Sequence, residues 1–249
     1  MAKQKGIVFF EGTLGGINFY YLNNKPTARV AGGGFTSKAV KKSPNMKKVR
    51  EQNSEFRNCS YVNKAFKAAI RPMLLTYKDG TLHSRLMQLF LQIKHLDAIS
   101  MHGQRTVANG ISTDIGKQML QGFKFTPKRT NLLPCAYRFD WDSLTFKAED
   151  MNRLGVGFPK SSDFMEVTLS VIRFDFETLT YTTAWAPTLV VERHFDGDSF
   201  NIAISQIPEG KGLAFAVVNV AFYQDVNGKG YLLKSEGNSG IELFMKDLD

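Results

Sequence analysis

The apolar residues change their spacing near residue 130, and this change limits the folds open to the chain. From about residue 43 to residue 121 they recur at about the helical period of 3.6 residues, and after residue 130 they alternate with polar residues. A helical stretch followed by short alternating stretches is typical of the α+β class, in which helices and antiparallel sheets occupy separate parts of a chain. We therefore predict an α+β fold.

The part with helical periodicity predicts two amphipathic helices. Ser43 followed by Pro44 favours a helix start, and Pro72 favours a stop near Arg71. The inward face of this first helix is predicted to carry Met46, Val49, Phe56, Cys59, Val62, Phe66 and Ile70. A second helix is predicted over 81–100, and the intervening Lys78-Asp79-Gly80 predicts an antiparallel, basic helical hairpin.

A further, shorter helix is predicted over 113–121. Ser112 is expected to cap its start, and Gly122 is expected to end it.

The N-terminal residues predict a small antiparallel β-meander with strands Ile7–Phe10, Ile17–Leu22 and Thr27–Val30. Three short strands form a marginal sheet unless something covers them, and their free edges favour pairing with another chain. Gly32-Gly33-Gly34 is expected to act as a hinge after this arm. The predicted assembly residues are Ile7, Val8, Phe9, Phe10, Ile17, Phe19 and Tyr21.

Residues 131–249 predict a C-terminal antiparallel β-sandwich of the Ig-like type, since short alternating runs are separated by turn residues. Asn227-Gly228 is the strongest hairpin signal among them. The predicted domains are thus a meander arm with its hinge at 1–34, a basic helical region at 35–130 and an acidic β-sandwich at 131–249.

Charge divides the chain into unlike halves. Residues 1–130 hold 22 Lys and Arg against 6 Asp and Glu, a net charge of +16, whereas residues 131–249 hold 10 against 17, a net charge of −7. Unlike halves attract further copies head to tail, and a contact of this kind that does not close produces a filament. The alternative is nucleic-acid binding, because a cationic segment releases counterions from a phosphate backbone.

A nucleic-acid site would use the basic segment. Its predicted phosphate contacts are Lys41, Lys42, Lys47, Lys48, Arg50 and Arg57. Phe19, Tyr20 and Tyr21, beside Lys25 and Arg29, would offer a stacking platform to a single strand. The competing interpretation of the aromatic triplet is that Phe19 and Tyr21 pack inward or onto a neighbouring copy.

Candidate chemistry is sparse in this sequence. Four isolated histidines and two isolated cysteines have no zinc-ligand spacing, so we expect no metal, no cofactor and reduced thiols. Asp140 and Asp142 would share a strand face as an acid–base pair, but they are expected to form a solvated face. Asp196-Gly197-Asp198 and Asp225-Val226-Asn227-Gly228 resemble fragments of calcium loops without the later ligand, and turns explain them. We identify no small-molecule substrate.

The N-terminus has only a four-residue apolar run, Ile7–Phe10, and no stretch approaches the roughly 20 apolar residues of a membrane span. We therefore expect a cytoplasmic protein, with a virion component or release by lysis as alternatives.

Three segments carry a family resemblance: the opening MAKQKGI, VREQNSEF at residues 49–56, and FYQDVNG at residues 222–228. The chain resembles a protein family of about this length, common in the bacterial phylum Bacteroidota, with no established activity. The resemblance implies a bacterial origin and one shared architecture, and it assigns no residue a role.

Together these features predict a non-enzymatic structural protein. It is expected to assemble with copies of itself into a filament, tube or array, through strand addition by the N-terminal arm and contacts between unlike charges. Nucleic-acid binding is the alternative, followed by an enzyme and by a carbohydrate- or protein-binding sandwich.

Overall fold

The computed structural model describes residues 2–6, 8–32, 36–129, 131–151, 157–234 and 237–246. Its internal contacts divide the chain into two compact units, residues 1–54 and residues 55–249. The second unit combines most of the predicted helical segment with the β-rich segment. Helices and antiparallel sheets are both present, so the α+β class is confirmed.

The first unit contains a four-stranded antiparallel sheet. Its strands are β1 (Ala2–Lys3), β2 (Gly12–Leu14), β3 (Ile17–Leu22) and β4 (Lys25–Val30), in the order β1-β4-β3-β2. Two tight turns join β2 to β3 and β3 to β4, and both use residues that tolerate positive φ. These are Gly15 and Gly16, at 58° and 74°, and Asn23 and Asn24, at 51° and 59°.

The predicted strand Ile17–Leu22 is confirmed by β3, whereas the predicted strand Ile7–Phe10 is wrong over Val8–Phe10. Those three residues belong to no strand, and the place beside β3 is taken by β2. Ile7 and the hinge residues Gly33 and Gly34 lie outside the described residues.

Two helical segments follow the sheet: α1 (Ser37–Lys42), and a 3₁₀ turn (Pro44–Met46) that leads into α2 (Lys47–Ala69). Thr36 caps α1, because its hydroxyl accepts a hydrogen bond from the Ala39 amide. Ser43 makes no side-chain cap, which corrects the prediction; its own amide instead bonds back to the Ala39 carbonyl and closes α1. The sequence does not predict α1, because this segment has only two apolar residues, Ala39 and Val40.

In the described part of the second unit the further helices are α3 (Arg71–Leu74), α4 (Leu82–Lys94), α5 (Val107–Ile111) and α6 (Asp114–Gln121). The predicted helix near 113–121 is confirmed, but its cap is Thr113, whose hydroxyl accepts a hydrogen bond from the Gly116 amide. Gly110 lets α5 approach α4 closely, since a Cβ atom there would overlap the Ile93 carbonyl oxygen. None of the helices in the described part of the chain is both long and apolar enough to cross a lipid bilayer.

The helices α2 and α4 pack against each other in opposite directions. Glu55, near the middle of α2, pairs with Lys94 at the end of α4. Asn63, farther along α2, donates a hydrogen bond to the carbonyl of His83 at the start of α4, so the two helices run in opposite directions. The Cys59 thiol, between them, lies 3.7 Å from the Phe90 carbonyl oxygen. The predicted antiparallel hairpin is therefore present.

The described strands of this unit form two antiparallel sheets. The smaller has the order β10-β6-β5, from β5 (Ala136–Asp140), β6 (Thr145–Glu149) and β10 (Phe200–Ala203). The larger is formed by β7 (Phe164–Asp175), β8 (Thr180–Trp185), β9 (Leu189–Glu192), β11 (Leu213–Val226), β12 (Lys229–Leu232) and β13 (Ser239–Met245). Its two central strands, β7 and β11, pair with each other. β8 and β9 both pair with the other side of β7, and β12 and β13 both pair with the other side of β11.

The larger sheet is buried on both faces. On one face Phe174 and Phe215 pack around Phe66 of α2, with ring centroids 5.8 and 5.6 Å away. On the other face Val167 and Val218 share a second apolar cluster with residues of the smaller sheet, including Phe146 and Ile202. The two facing sheets form a sandwich as predicted, but a helical layer covers the larger sheet, in contrast to the Ig-like arrangement.

Candidate functional site

The N-terminal sheet has one apolar and one polar face. Directly opposed residues of antiparallel strands point to the same side, so the register assigns every side chain to a face. Ile17 is opposite both Leu14 and Val30, Phe19 is opposite Gly12 and Ala28, and Tyr21 is opposite Pro26. This face, which we call the apolar arm face, carries Ala2, Gly12, Leu14, Ile17, Phe19, Tyr21, Pro26, Ala28 and Val30.

Much of the apolar arm face remains exposed. Val30 is 76% exposed and Leu14 is 67% exposed, and Ile17 and Tyr21 each keep more than 40% of their surface in contact with solvent. Phe19, Pro26 and Ala28 are partly covered, and the Phe10 ring lies against Phe19 at a centroid distance of 5.7 Å. Scattered exposed apolar residues are normal on a protein surface, whereas a contiguous set of this kind marks an interaction surface.

Phe10 reaches this face from a segment without strand structure. The Gln4 side chain holds its backbone: the Phe10 amide donates to Gln4 Oε1 at 2.9 Å, and Gln4 Nε2 donates to the Phe10 carbonyl at 3.3 Å. Phe10 and Phe19 therefore meet through this loop rather than through the predicted strand pairing. Val8 and Phe9, also predicted as assembly residues, are exposed beside it.

The opposite face of the arm is polar. It carries Lys3, Thr13, Asn18, Tyr20, Leu22, Lys25, Thr27 and Arg29, as the same register shows. The Arg29 guanidinium lies 5.5 Å from the centre of the Tyr20 ring. Tyr20 thus points away from Phe19 and Tyr21, and the three aromatic residues do not form one stacking platform.

The predicted strand addition is limited by the position of β3. Residues Ile17–Phe19 pair with β2 on one side and with β4 on the other, so this part of β3 has no free edge. The outer strands are β1 and β2. The exposed apolar face therefore offers more contact surface than the edge of β3.

The predicted basic patch is only partly available. Lys41, Lys42, Lys47 and Lys48 are exposed, as is Arg57 farther along α2. Arg50 is half-buried, and its guanidinium donates to the carbonyls of Val40 and Ser43 at 2.8 and 2.9 Å. It thereby ties α2 to the end of α1, a structural role that its sequence position did not reveal.

A buried ionic cluster in the second unit was not predicted. Glu55, on α2, is fully buried and accepts hydrogen bonds from Lys94, from the Gly103 amide at 2.7 Å and from Arg105 at 2.9 and 3.0 Å. Burial alone would raise the pKa of Glu55, but the hydrogen bonds from Arg105, Lys94 and Gly103 outweigh it and hold this pKa well below its usual range.

A second buried carboxylate lies nearby. Asp97 accepts backbone hydrogen bonds from Ile99, Ser100 and Thr106 at 2.9–3.0 Å and a side-chain bond from Asn109 at 3.1 Å. Burial opposes ionisation here too, yet these donors keep its pKa well below the usual range. The two carboxylates together fasten the loop between α4 and α5. Because every oxygen is occupied by donors from the chain itself, the cluster is structural.

The candidate chemical groups form turns instead of a site. Asp140 accepts hydrogen bonds from the amides of Ser143 and Asp142, and the bonds from Ser143 and from Lys147 lower its pKa to about 2. Asp225 accepts from the Gly228 amide at 2.8 Å and closes the β11–β12 hairpin. Among the described residues, no group of three or more His, Cys, Asp or Glu is arranged to hold a metal ion.

Comparisons of the chain with protein-family models, with curated proteins and with solved structures found no match. The predicted resemblance to a Bacteroidota family therefore stays a prediction, and the functional argument depends on the surfaces described above.

Proposed function

We propose that the chain is a non-enzymatic structural protein that assembles with copies of itself, and that it does so by burying the apolar arm face. The observation that carries this proposal is the register of the N-terminal sheet, which places nine small or apolar residues on one side and leaves Leu14, Ile17, Tyr21 and Val30 exposed. A sheet with one apolar face is stable when that face packs against another layer.

The energy of such a contact follows from the exposed area. Burying what remains exposed of Leu14, Ile17 and Val30 would contribute about 1–2 kcal/mol for each side chain. Association costs at least about 4 kcal/mol in lost translational and rotational freedom. Several of these side chains are thus needed together, and the assembly is expected to depend on concentration and to be sensitive to single substitutions.

Charge favours another copy of the chain as the partner. The basic residues 1–130 and the acidic residues 131–249 carry net charges of opposite sign, +16 and −7. Charge complementarity between copies increases the association rate and is screened by salt, with a Debye length of about 10 Å at 0.1 M.

Val30→Asp tests the proposal, because Val30 is highly exposed and the substitution leaves no cavity. It removes apolar contact and places a charge in the interface, so we expect association to weaken at least about tenfold, which corresponds to about 1.4 kcal/mol. Ile115→Asp is the matched control, since Ile115 is also exposed, lies in the first turn of α6 and undergoes the same charge change. Deletion of residues 1–34 is expected to abolish assembly.

The readout is light scattering over a range of protein concentrations, with circular dichroism as a check on folding. Unchanged assembly of Val30→Asp and of the deletion variant would contradict the proposal.

Nucleic-acid binding is the second candidate, and the exposure of Lys41, Lys42, Lys47 and Lys48 within eight residues favours it. Binding of this kind weakens steeply with salt, because each neutralised phosphate releases counterions. Titration of a labelled duplex and a labelled single strand at two salt concentrations tests it, and we expect Lys47→Gln with Lys48→Gln to reduce the salt dependence. Absence of binding at low salt would exclude this candidate.

A further inference from the structure

The larger sheet of the second unit ends in an exposed edge. β8 pairs with β7 through residues 180–185, and β9 pairs with β7 through residues 189–192. No other described strand pairs with β8 or β9. Natural proteins protect such edges with lysines, prolines or bulges. β8 has none of these within Thr180–Trp185, and no described strand covers its outer edge, although the Thr182 hydroxyl donates a hydrogen bond to the Glu209 carbonyl at 2.7 Å.

The register places three large exposed side chains on one face of this edge. Tyr181 is opposite Phe174, Trp185 is opposite Ser170 and Val190 is opposite Glu166, and these three partners alternate along the same side of β7. Tyr181 and Trp185 are each 41% exposed, and Val190 is 54% exposed. Tryptophan and tyrosine are the residue types that most often dominate the energy of protein interfaces. We call this set the β8–β9 edge patch.

The β8–β9 edge patch and the arm have opposite charges. Residues 174–192 contain Asp175, Glu177 and Glu192 and neither lysine nor arginine, so their net charge is −3. Residues 2–32, which hold the arm sheet, contain three lysines and one arginine against Glu11, so their net charge is +3. The arm is thus basic as a whole, with Lys3, Lys25 and Arg29 on the face opposite the apolar arm face. The edge segment between Arg173 and Arg193 is acidic, so the two segments carry net charges of opposite sign.

We propose that the apolar arm face of one copy binds the β8–β9 edge patch of the next copy. This inference depends on the self-assembly proposed above and identifies its acceptor surface. Donor and acceptor are different surfaces, so the contact is heterologous. A copy that has bound one neighbour through one surface still has the other surface free, and the growing assembly therefore always ends in one free donor and one free acceptor. A contact between two arm faces would instead be isologous and would stop at a dimer.

Mixing two assembly-deficient variants distinguishes these geometries. Val30→Asp impairs the donor and leaves the acceptor intact, whereas Trp185→Lys impairs the acceptor and leaves the donor intact. We expect each variant alone to remain at the chain mass of 28.0 kDa. An equimolar mixture is expected to form a complex of two chains and nothing larger, because only one functional contact can form between them.

Tyr231→Lys is the matched control, since Tyr231 is a similarly exposed aromatic residue on β12, at the opposite edge of the same sheet. We expect it to assemble like the wild type. Val190→Lys replaces Trp185→Lys if circular dichroism shows that the tryptophan variant does not fold.

The possible failures are distinguishable by light scattering. If the wild type assembles and Val30→Asp does not, but both edge variants assemble like the wild type, the acceptor is wrong while self-assembly stands. If the wild type itself remains a monomer at all concentrations tested, the proposed function is wrong.

Discussion

Glu55→Gln removes one negative charge from a site that no solvent reaches. The substitution keeps the shape of the side chain but leaves Lys94, itself 4% exposed, and Arg105 without their carboxylate partner. Breaking a buried ion pair by removing one partner costs about 3–5 kcal/mol, because the remaining charge stays buried. For a domain of this size that loss lowers the melting temperature by roughly 6–20 °C.

Glu51→Gln is the matched control on the same helix. Glu51 lies one turn earlier and forms an i,i+4 pair with Lys47 at 3.9 Å, in which 78% of the Lys47 side chain and 25% of the Glu51 side chain are exposed. Such pairs contribute about 0.2–0.5 kcal/mol, so this variant is expected to unfold nearly like the wild type.

Urea denaturation followed by circular dichroism measures both variants, and a Lys94→Met substitution completes a double-mutant cycle. In the Glu55→Gln background, Lys94→Met removes the unpaired ammonium group, so the double variant should lose less free energy of unfolding than the two single losses combined. A Glu55→Gln cost as small as that of Glu51→Gln would show that the buried ion pairs of Glu55 contribute little to stability.

Three further predictions concern acid stability, the shared core and a close helix contact. Because the pKa of Glu55 in the folded protein lies below its ordinary value of 4.5, its contribution to stability is present above pH 4.5 and is lost as the pH falls further. Urea denaturation at a series of acidic pH values should therefore show that the free energy of unfolding of Glu55→Gln falls less steeply with pH than that of the wild type. Equal slopes would contradict this. Phe66→Ala removes a fully buried ring from between the helices and the larger sheet, so it should cost about 3–5 kcal/mol in urea, and a cost under about 1 kcal/mol would place Phe66 outside that core. Gly110→Ala should destabilise the protein more than Gly228→Ala, because a Cβ atom at position 110 overlaps the backbone of Ile93. A Cβ atom at position 228 meets open space, so that variant bears only the strain of a φ of 76°, about 1–2 kcal/mol. The reverse order in thermal melts would contradict the close α4–α5 contact.

Local signals predicted several elements well. Asn227-Gly228 predicted the β11–β12 hairpin because both residues adopt positive φ, at 56° and 76°. Ile17–Leu22 alternates and is bounded by Gly15-Gly16 and Asn23-Asn24, so its strand was also correct. These features depend on a few adjacent residues, which is why a single sequence is enough to identify them.

Features that depend on distant contacts were missed. Phe56 was expected to face inward but is 53% exposed, whereas Glu55 takes the inward position one residue earlier. The spacing of Glu55, Cys59 and Val62 does place Glu55 on the buried face of α2. An acidic residue is unexpected on a buried face, however, until its partners from α4 and the following loop are known. The helical layer was missed in the same way, although the nearly unbroken apolar run in Leu213–Phe222 is typical of a strand buried on both faces.

The candidate site was predicted in some of its residues but not in its geometry. Ile17, Phe19 and Tyr21 do share a face, as their alternation indicated. The strand next to β3 was predicted at Val8–Phe10, because this apolar run is a stronger pattern than the short Gly-Thr-Leu segment. In the structure Gly12–Leu14 form that strand. Val30 and Leu14, the most exposed members of the face, emerge only from the strand register.

Self-assembly itself is tested by the mass of the wild-type chain in solution, measured by light scattering at low and high salt with negative-stain electron microscopy of the same samples. We predict a mass above 28.0 kDa that rises with protein concentration at low salt, regular polymers or rings on the grid, and a decrease in mass at high salt. A constant mass of 28.0 kDa at both salt concentrations would contradict self-assembly.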